Sequence, residues 1–147
     1  ALPGRLAARQ LLFAHAAITD VAGQRLHHDE RIVRWNGEPP TDRTRAAFAS
    51  ERDTDVQIRD WFIRRRPDGG YSTRVTGDAL LIDLEADALQ AILLQGEQGF
   101  SRKGPDPSQA SFYVSPPHLP VRGSVGLRGE RFAISCTPRR WAGTGLA

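Results

Sequence analysis

Short runs of alternating apolar and polar residues, cut by turn-forming residues, are the feature that most limits what this chain can become. Leu80, Ile82 and Leu84 point to one side of an extended chain, while Asp83 and Glu85 point to the other. A period of two belongs to a strand with one face in a core and one in water. Val121, Gly123, Val125 and Leu127 alternate in the same way with Arg122, Ser124, Gly126 and Arg128. Arg128-Gly129-Glu130 then makes a tight turn into Phe132-Ala133-Ile134. Upstream, Val56 to Arg66 and Tyr71 to Thr76 flank Pro67-Asp68-Gly69-Gly70. Proline presets φ and glycine accepts positive φ, so this stretch predicts a hairpin. The alternation shifts near Asp60-Trp61, which predicts a bulge there.

The remaining segments carry the same signal. Leu11 to Thr19 is β-compatible and ends at Asp20; Val21-Ala22-Gly23-Gln24 reads as a turn. His27 to Trp35 resumes as a strand, until Asn36-Gly37-Glu38-Pro39-Pro40 breaks it. Thr44-Arg45-Ala46-Ala47-Phe48-Ala49 predicts one or two helical turns, with a loop as the alternative. Gln90 to Gln95 reads as a strand, Gly96 to Gln109 as a long loop, and Ala110 to Ser115 as another strand. The pattern therefore predicts an all-β chain of about eight or nine short antiparallel strands with at most one short helix. The expected form is a barrel, even if incomplete or open; full closure removes exposed edges and leaves an interior for side chains or one small ligand. An open β-sandwich is the alternative from the pattern alone.

Composition narrows the function classes. The 147 residues suit one domain spanning the whole chain, and 39% apolar with 25% charged residues argues against wholesale disorder. The longest apolar run, Ala88 to Leu94, is far short of the ~20 residues a membrane helix needs, so no transmembrane segment is expected. The chain starts at Ala1 and has no Met, which suggests a processed chain or a fragment. The single Cys136 cannot form an internal disulfide or by itself a structural zinc site. Net charge is +3, and of the 20 basic residues only Lys103 is lysine. Arg64-Arg65-Arg66 is the one dense basic cluster, but it abuts a turn and has no aromatic ladder. It reads as a solvated hairpin end, not as a nucleic-acid site.

Four motifs hold chemistry. His15 stands in the apolar run Phe13-Ala14-His15-Ala16-Ala17-Ile18-Thr19-Asp20, as a core histidine or a polar handle in a pocket. His27-His28-Asp29-Glu30 splits two and two between the faces of a strand, too few per face for a metal, and reads as a solvated strand start. Gly99-Phe100-Ser101-Arg102-Lys103-Gly104 lacks the spacing of a phosphate loop, although Arg102-Lys103 could close over a ligand at a barrel rim. Ser111, Tyr113 and Ser115 share one face of their strand, either an outer polar face or a hydroxyl ladder in a wet cavity. No metal and no cofactor is expected.

The order of these motifs resembles one family. Phe13 to Asp20, His28-Asp29-Glu30-Arg31, Asp60-Trp61, Ile82-Asp83-Leu84, Gly96 with Gly99 to Gly104, and Ala110 to Ser115 together look like the lipocalin-like carotenoid 1,2-hydratases (hydroxyneurosporene synthases) and related bacterial predicted secreted hydrolases. The resemblance runs from about Leu11 to Ile134. It implies two consecutive lipocalin-like barrels, of which this chain covers the larger part of the first. It implies a periplasmic, secreted or membrane-associated bacterial setting. Family members carry a Glu-Trp-Trp-Tyr block upstream, unmatched here, and an Ala-Trp-x-Asp-His-Glu-Trp type block downstream. Here Ser135 to Gly143 stands instead, with only Trp141 in correspondence, as a missing end or a frame shift near Ser135 would produce. Residues 135–147 are thus an atypical tail.

The family's hydratases add water across a terminal isoprenoid double bond without a cofactor. That step needs a protonated carboxylic acid, and the family's candidate belongs to the block this chain lacks; Asp20 or Asp60 would have to replace it. The expectation is a lipocalin-like domain that binds an apolar, isoprenoid or lipid molecule. His15, Asp20, Arg31, Lys103, Tyr113 and Ser115 are its polar pocket or rim residues, with an Arg31–Asp20 ion pair as a structural alternative. An active hydratase and a non-catalytic β scaffold are the other readings. Exposed edges of an incomplete barrel would favour a homodimer.

Overall fold

The computed structural model describes residues 10–35, Gly37 and residues 47–137. They form antiparallel strands and contain no helix. Strands β1 (Gln10–Asp20) and β2 (Arg25–Trp35) make one long hairpin. The second layer is a seven-stranded sheet. In spatial order it contains β13 (Glu130–Cys136), β12 (Val121–Leu127), β7 (Leu80–Ala86), β6 (Tyr71–Thr76), β5 (Trp61–Arg65), β4 (Asp55–Ile58) and β3 (Ala47–Ala49). Between β7 and β12 the chain makes an excursion of two small pairs. There β8 (Leu93–Leu94) pairs with β11 (Val114–Ser115), and β9 (Phe100–Arg102) with β10 (Ala110–Phe112). β13 and β3 end the large sheet, so it is an open lipocalin-like sheet and not a closed barrel.

Register sorts the large sheet into two chemically distinct faces. Directly paired residues share a face. Val56 opposes Ile63, Ile63 opposes Thr73, and Thr73 opposes Leu84. Val75 opposes Ile82, Ile82 opposes Val125, and Val125 opposes Phe132. This is the apolar inner face. The outer face alternates charge: Arg64 bonds Asp55, Arg74 bonds Asp83, and Arg122 bonds Glu85 and Asp87. Arg66 bridges Asp68, Glu85 and Asp87. The arginine triplet is therefore engaged with the chain's own carboxylates, Arg65 meeting Asp53 at 3.5 Å.

The hairpin packs on the inner face at one end of the sheet. Ala14, Ala16 and Ile18 of β1 meet Trp61, Val75, Leu80 and Ile82. Antiparallel order places the turns Arg59-Asp60, Gly77–Ala79 and Arg128-Gly129 at that same end. Alternate residues of β2 meet them one after another. His27 lies 3.4 Å from Arg128, Asp29 lies against Gly77, and Arg31 is bonded to Asp60. Trp35 follows, edge-on to Phe48. Three turns span roughly 19 Å at strand spacing, while four residues of strand reach only about 13 Å, so long arginine side chains bridge the remainder.

The Pro67–Gly70 hairpin forms as predicted: Gly69 takes φ 85° and its N–H donates to Arg66 O at 2.9 Å. Gly123 on the inner face has φ 139°, and a Cβ there would strike the Asp83 carbonyl oxygen of the neighbouring strand.

Several expectations are corrected. The bulge near Asp60-Trp61 is a complete two-residue turn, with Ile58 opposing Trp61. Arg59 adopts φ 57°, and its carbonyl accepts from Gln57 Nε2 at 2.7 Å. Ala47–Ala49 is a strand, not part of a helix, because pairing with β4 overrides alanine's helical preference. Thr44, Arg45 and Ala46 lie outside the described residues. Of Gln90 to Gln95 only Leu93–Leu94 is strand, and the long loop contains β9. Ala110 to Ser115 breaks at Tyr113, whose N–H donates to Gly99 O and whose carbonyl accepts from Gln95. Of the tail 135–147, Ser135 and Cys136 complete β13, opposite Arg122 and Val121, and the residues from Pro138, including Trp141, lie outside the described residues.

Candidate functional site

The edge of the hairpin and the inner face enclose an apolar cleft of about 210 Å³. Ala14 and His15 come from β1, Val56 and Ile58 from β4, Trp61 and Ile63 from β5, and Thr73 and Val75 from β6, with Phe62 completing the wall. Its residues follow from the strand period: alternate positions on three neighbouring strands fall on one side. Thr73 adds little polarity, because its hydroxyl donates to Phe62 O at 2.9 Å. Alanines on β1 leave the space, since a larger residue at Ala14 would fill it.

A polar knot fastens one side of this cleft. Trp61 is buried, and its Nε1 donates to Thr76 O at 2.8 Å. Arg31 Nη2 donates to the same oxygen at 2.9 Å, and the guanidinium carbon lies 4.5 Å from the Trp61 ring centroid. A cation over indole contributes about 0.5–2 kcal/mol, more as water is excluded. Asp60 accepts from Arg31 and from the Thr76 hydroxyl. Partial burial pushes the Asp60 pKa up, but these hydrogen bonds outweigh it and hold the carboxyl below its ordinary value. Asp60 is therefore ionised at neutral pH and is no proton donor there.

The six sequence-predicted residues divide between two regions. His15 shares a face with Phe13, as expected, their rings 5.9 Å apart. It is not a core histidine: its side chain is 67% exposed, opposite Glu30 at 3.8 Å, and it stands at the edge of the cleft. Asp20 sits at the hairpin turn and accepts from the Gly23 N–H at 2.8 Å. The Arg31 ion pair is with Asp60, and Asp20 has no part in it. Lys103, Tyr113 and Ser115 belong to the excursion. Lys103 lies 5.7 Å from the Tyr113 ring centroid and donates to Ser101 Oγ, and Ser115 is 3.5 Å from Gln95 Nε2. Ser111, Tyr113 and Ser115 form no hydroxyl ladder, because the break at Tyr113 sends Ser111 and Ser115 to different pairs. His27, expected at a solvated strand start, is buried beside Arg128. No group of three or more His, Cys, Asp or Glu gathers as a metal site among the described residues.

Thr73, Val75 and Ile63 were not singled out in the sequence as cleft residues. Their inward alternation was the signal, but it does not distinguish a filled core from a hollow. The Arg31–Asp60 link joins residues 29 apart and leaves no local pattern.

A family description named AttH-like matches residues 1–142. The chain belongs to the AttH-like family. A crystal structure of an AttH-type protein from Nitrosomonas europaea is 38% identical over 91% of this chain, with a TM-score of 0.75. This chain spans 40% of that protein's length. No curated protein matches. Membership in the AttH-like family agrees with a lipocalin-like β domain.

Proposed function

We propose that this AttH-like chain binds an apolar small molecule, of isoprenoid or lipid type, in the cleft between β1 and the inner face of the sheet. The supporting observation is the cleft itself: about 210 Å³ of space walled by Val56, Ile58, Trp61, Ile63 and Val75. Apolar walls with a few polar groups at the edge are what such ligands need. His15 is the polar handle at the edge. Arg31 stands beside the cleft, whereas Asp20, Lys103, Tyr113 and Ser115 are not among its lining residues. Resemblance to carotenoid hydratases supports an isoprenoid over a straight-chain lipid.

A water-adding reaction finds less support. It needs a carboxylic acid that keeps its proton near neutral pH. Arg31 holds Asp60 in the opposite state, and Asp20 is engaged with the Gly23 amide. Binding is the reading the geometry favours.

Titration with retinol, followed by its own emission, tests this. Saturable binding of one molecule per chain is expected, weakened about tenfold or more by Thr73→Phe, which fills the cleft. Unsaturable uptake, or equal binding by Thr73→Phe, overturns the proposal.

A further inference from the structure

Trp61 belongs at once to the core and to the cleft wall, so whatever fixes its ring fixes the shape of the cleft. Two groups fix it. The Thr76 carbonyl oxygen holds the indole N–H, and the Arg31 guanidinium covers the ring. Arg31 holds the same carbonyl and also reaches Ile58 O at 3.4 Å and Asp60. Arg31 itself does not line the cleft. It arrives from β2, whereas Trp61, Asp60 and Thr76 come from the sheet.

We propose that Arg31 is a positioning residue for the binding site: it sets the pose of Trp61 across the hairpin–sheet junction and thereby the affinity of the cleft, without touching the ligand. The inference rests on the binding reading above. Only a planar fork can stack on the indole while donating to two carbonyl oxygens and a carboxylate. A lysine ammonium at this place can serve one or two of these partners and cannot stack as a plane. Asp60 completes the device from the other side, orienting the guanidinium with the help of the Thr76 hydroxyl.

The test uses the full chain with Trp35→Phe and Trp141→Phe, leaving Trp61 as the sole tryptophan. Arg31→Lys and Arg31→Gln are compared with this parent by urea unfolding, acrylamide quenching without ligand, and retinol titration. Both variants are expected to fold, to show red-shifted and more quenchable Trp61 emission, and to bind retinol about fivefold to tenfold more weakly. Asp60→Asn keeps Arg31 and is expected to fall between parent and Arg31→Gln; it carries the test if the Arg31 variants do not fold. Weaker binding with unchanged Trp61 quenching overturns the proposal, since Arg31 would then act on the ligand directly. Unchanged quenching and unchanged affinity overturn it as well. A parent that binds no retinol overturns the binding reading instead, and quenching alone then decides whether Arg31 holds the ring.

Discussion

The two-layer body and the excursion between β7 and β12 are both built from antiparallel pairs, yet only one makes a core. In the body, strands β6, β7 and β12 have six or seven residues, and a hairpin of two 11-residue strands crosses one end. Its inner face is covered in part, and Ile58, Trp61 and Leu80 are buried. In the excursion the strands have two or three residues. Leu93, Leu94, Phe112 and Val114 remain exposed, Phe112 to 82%. Both regions have apolar side chains. What separates them is a second layer: a short pair with nothing across its face cannot remove those side chains from water.

The sharpest way to break this contrast is to empty the body. Ile58→Ala removes a fully buried side chain and is expected to cost about 2–5 kcal/mol, read from the urea midpoint. A cost below about 1 kcal/mol would mean that β4 is not part of the core. A smaller effect comes from pH. Hydrogen bonds from Arg66 lower the pKa of both Asp68 and Asp87, while Arg31 and Thr76 lower that of Asp60 against the effect of burial. Carboxylates depressed in the folded state stabilise it above their unfolded pKa of about 4, and that contribution is lost as pH falls through their lowered folded values. The urea midpoint should thus hold steady above about pH 5 and fall below about pH 4, with a shallower fall in Asp87→Asn. An unchanged slope in that variant would remove Asp87 from the account. Asp106, lowered by the Ser108 amide and hydroxyl, is the excursion's counterpart. The smallest effect is Leu93→Ser in the excursion, expected within about 0.5 kcal/mol of the parent. A loss above 2 kcal/mol would show that this face is covered after all.

The same contrast explains what could be read from the residues alone. The Pro67–Gly70 hairpin and the strands at Leu80–Ala86 and Val121–Leu127 were legible because turn chemistry and a period of two are local. The turn at Arg59-Asp60 was not, because it lacks glycine and proline and relies on Arg59 in a left-handed conformation held by Gln57. Ala47–Ala49 has a helix-forming composition and becomes a strand only beside β4. For the site, the shared face of Phe13 and His15 was legible, but which face of the hairpin meets the sheet was not. That choice rests on the small residues Ala14 and Ala16, which let β1 approach Trp61. It leaves Phe13 70% exposed and puts His15 at an edge. The excursion residues Lys103 and Tyr113 do lie near one another, although not around the cleft.

The stepwise docking of His27, Asp29, Arg31 and Trp35 makes β2 a ruler laid across the sheet's turns. A ruler of period two tolerates changes of length unevenly. One residue inserted after Arg31 would turn Trp35 away from Phe48 and present Arg34 in its place, while two inserted residues would restore the side and shift only the spacing. Length variation among relatives in this strand should accordingly come in even steps.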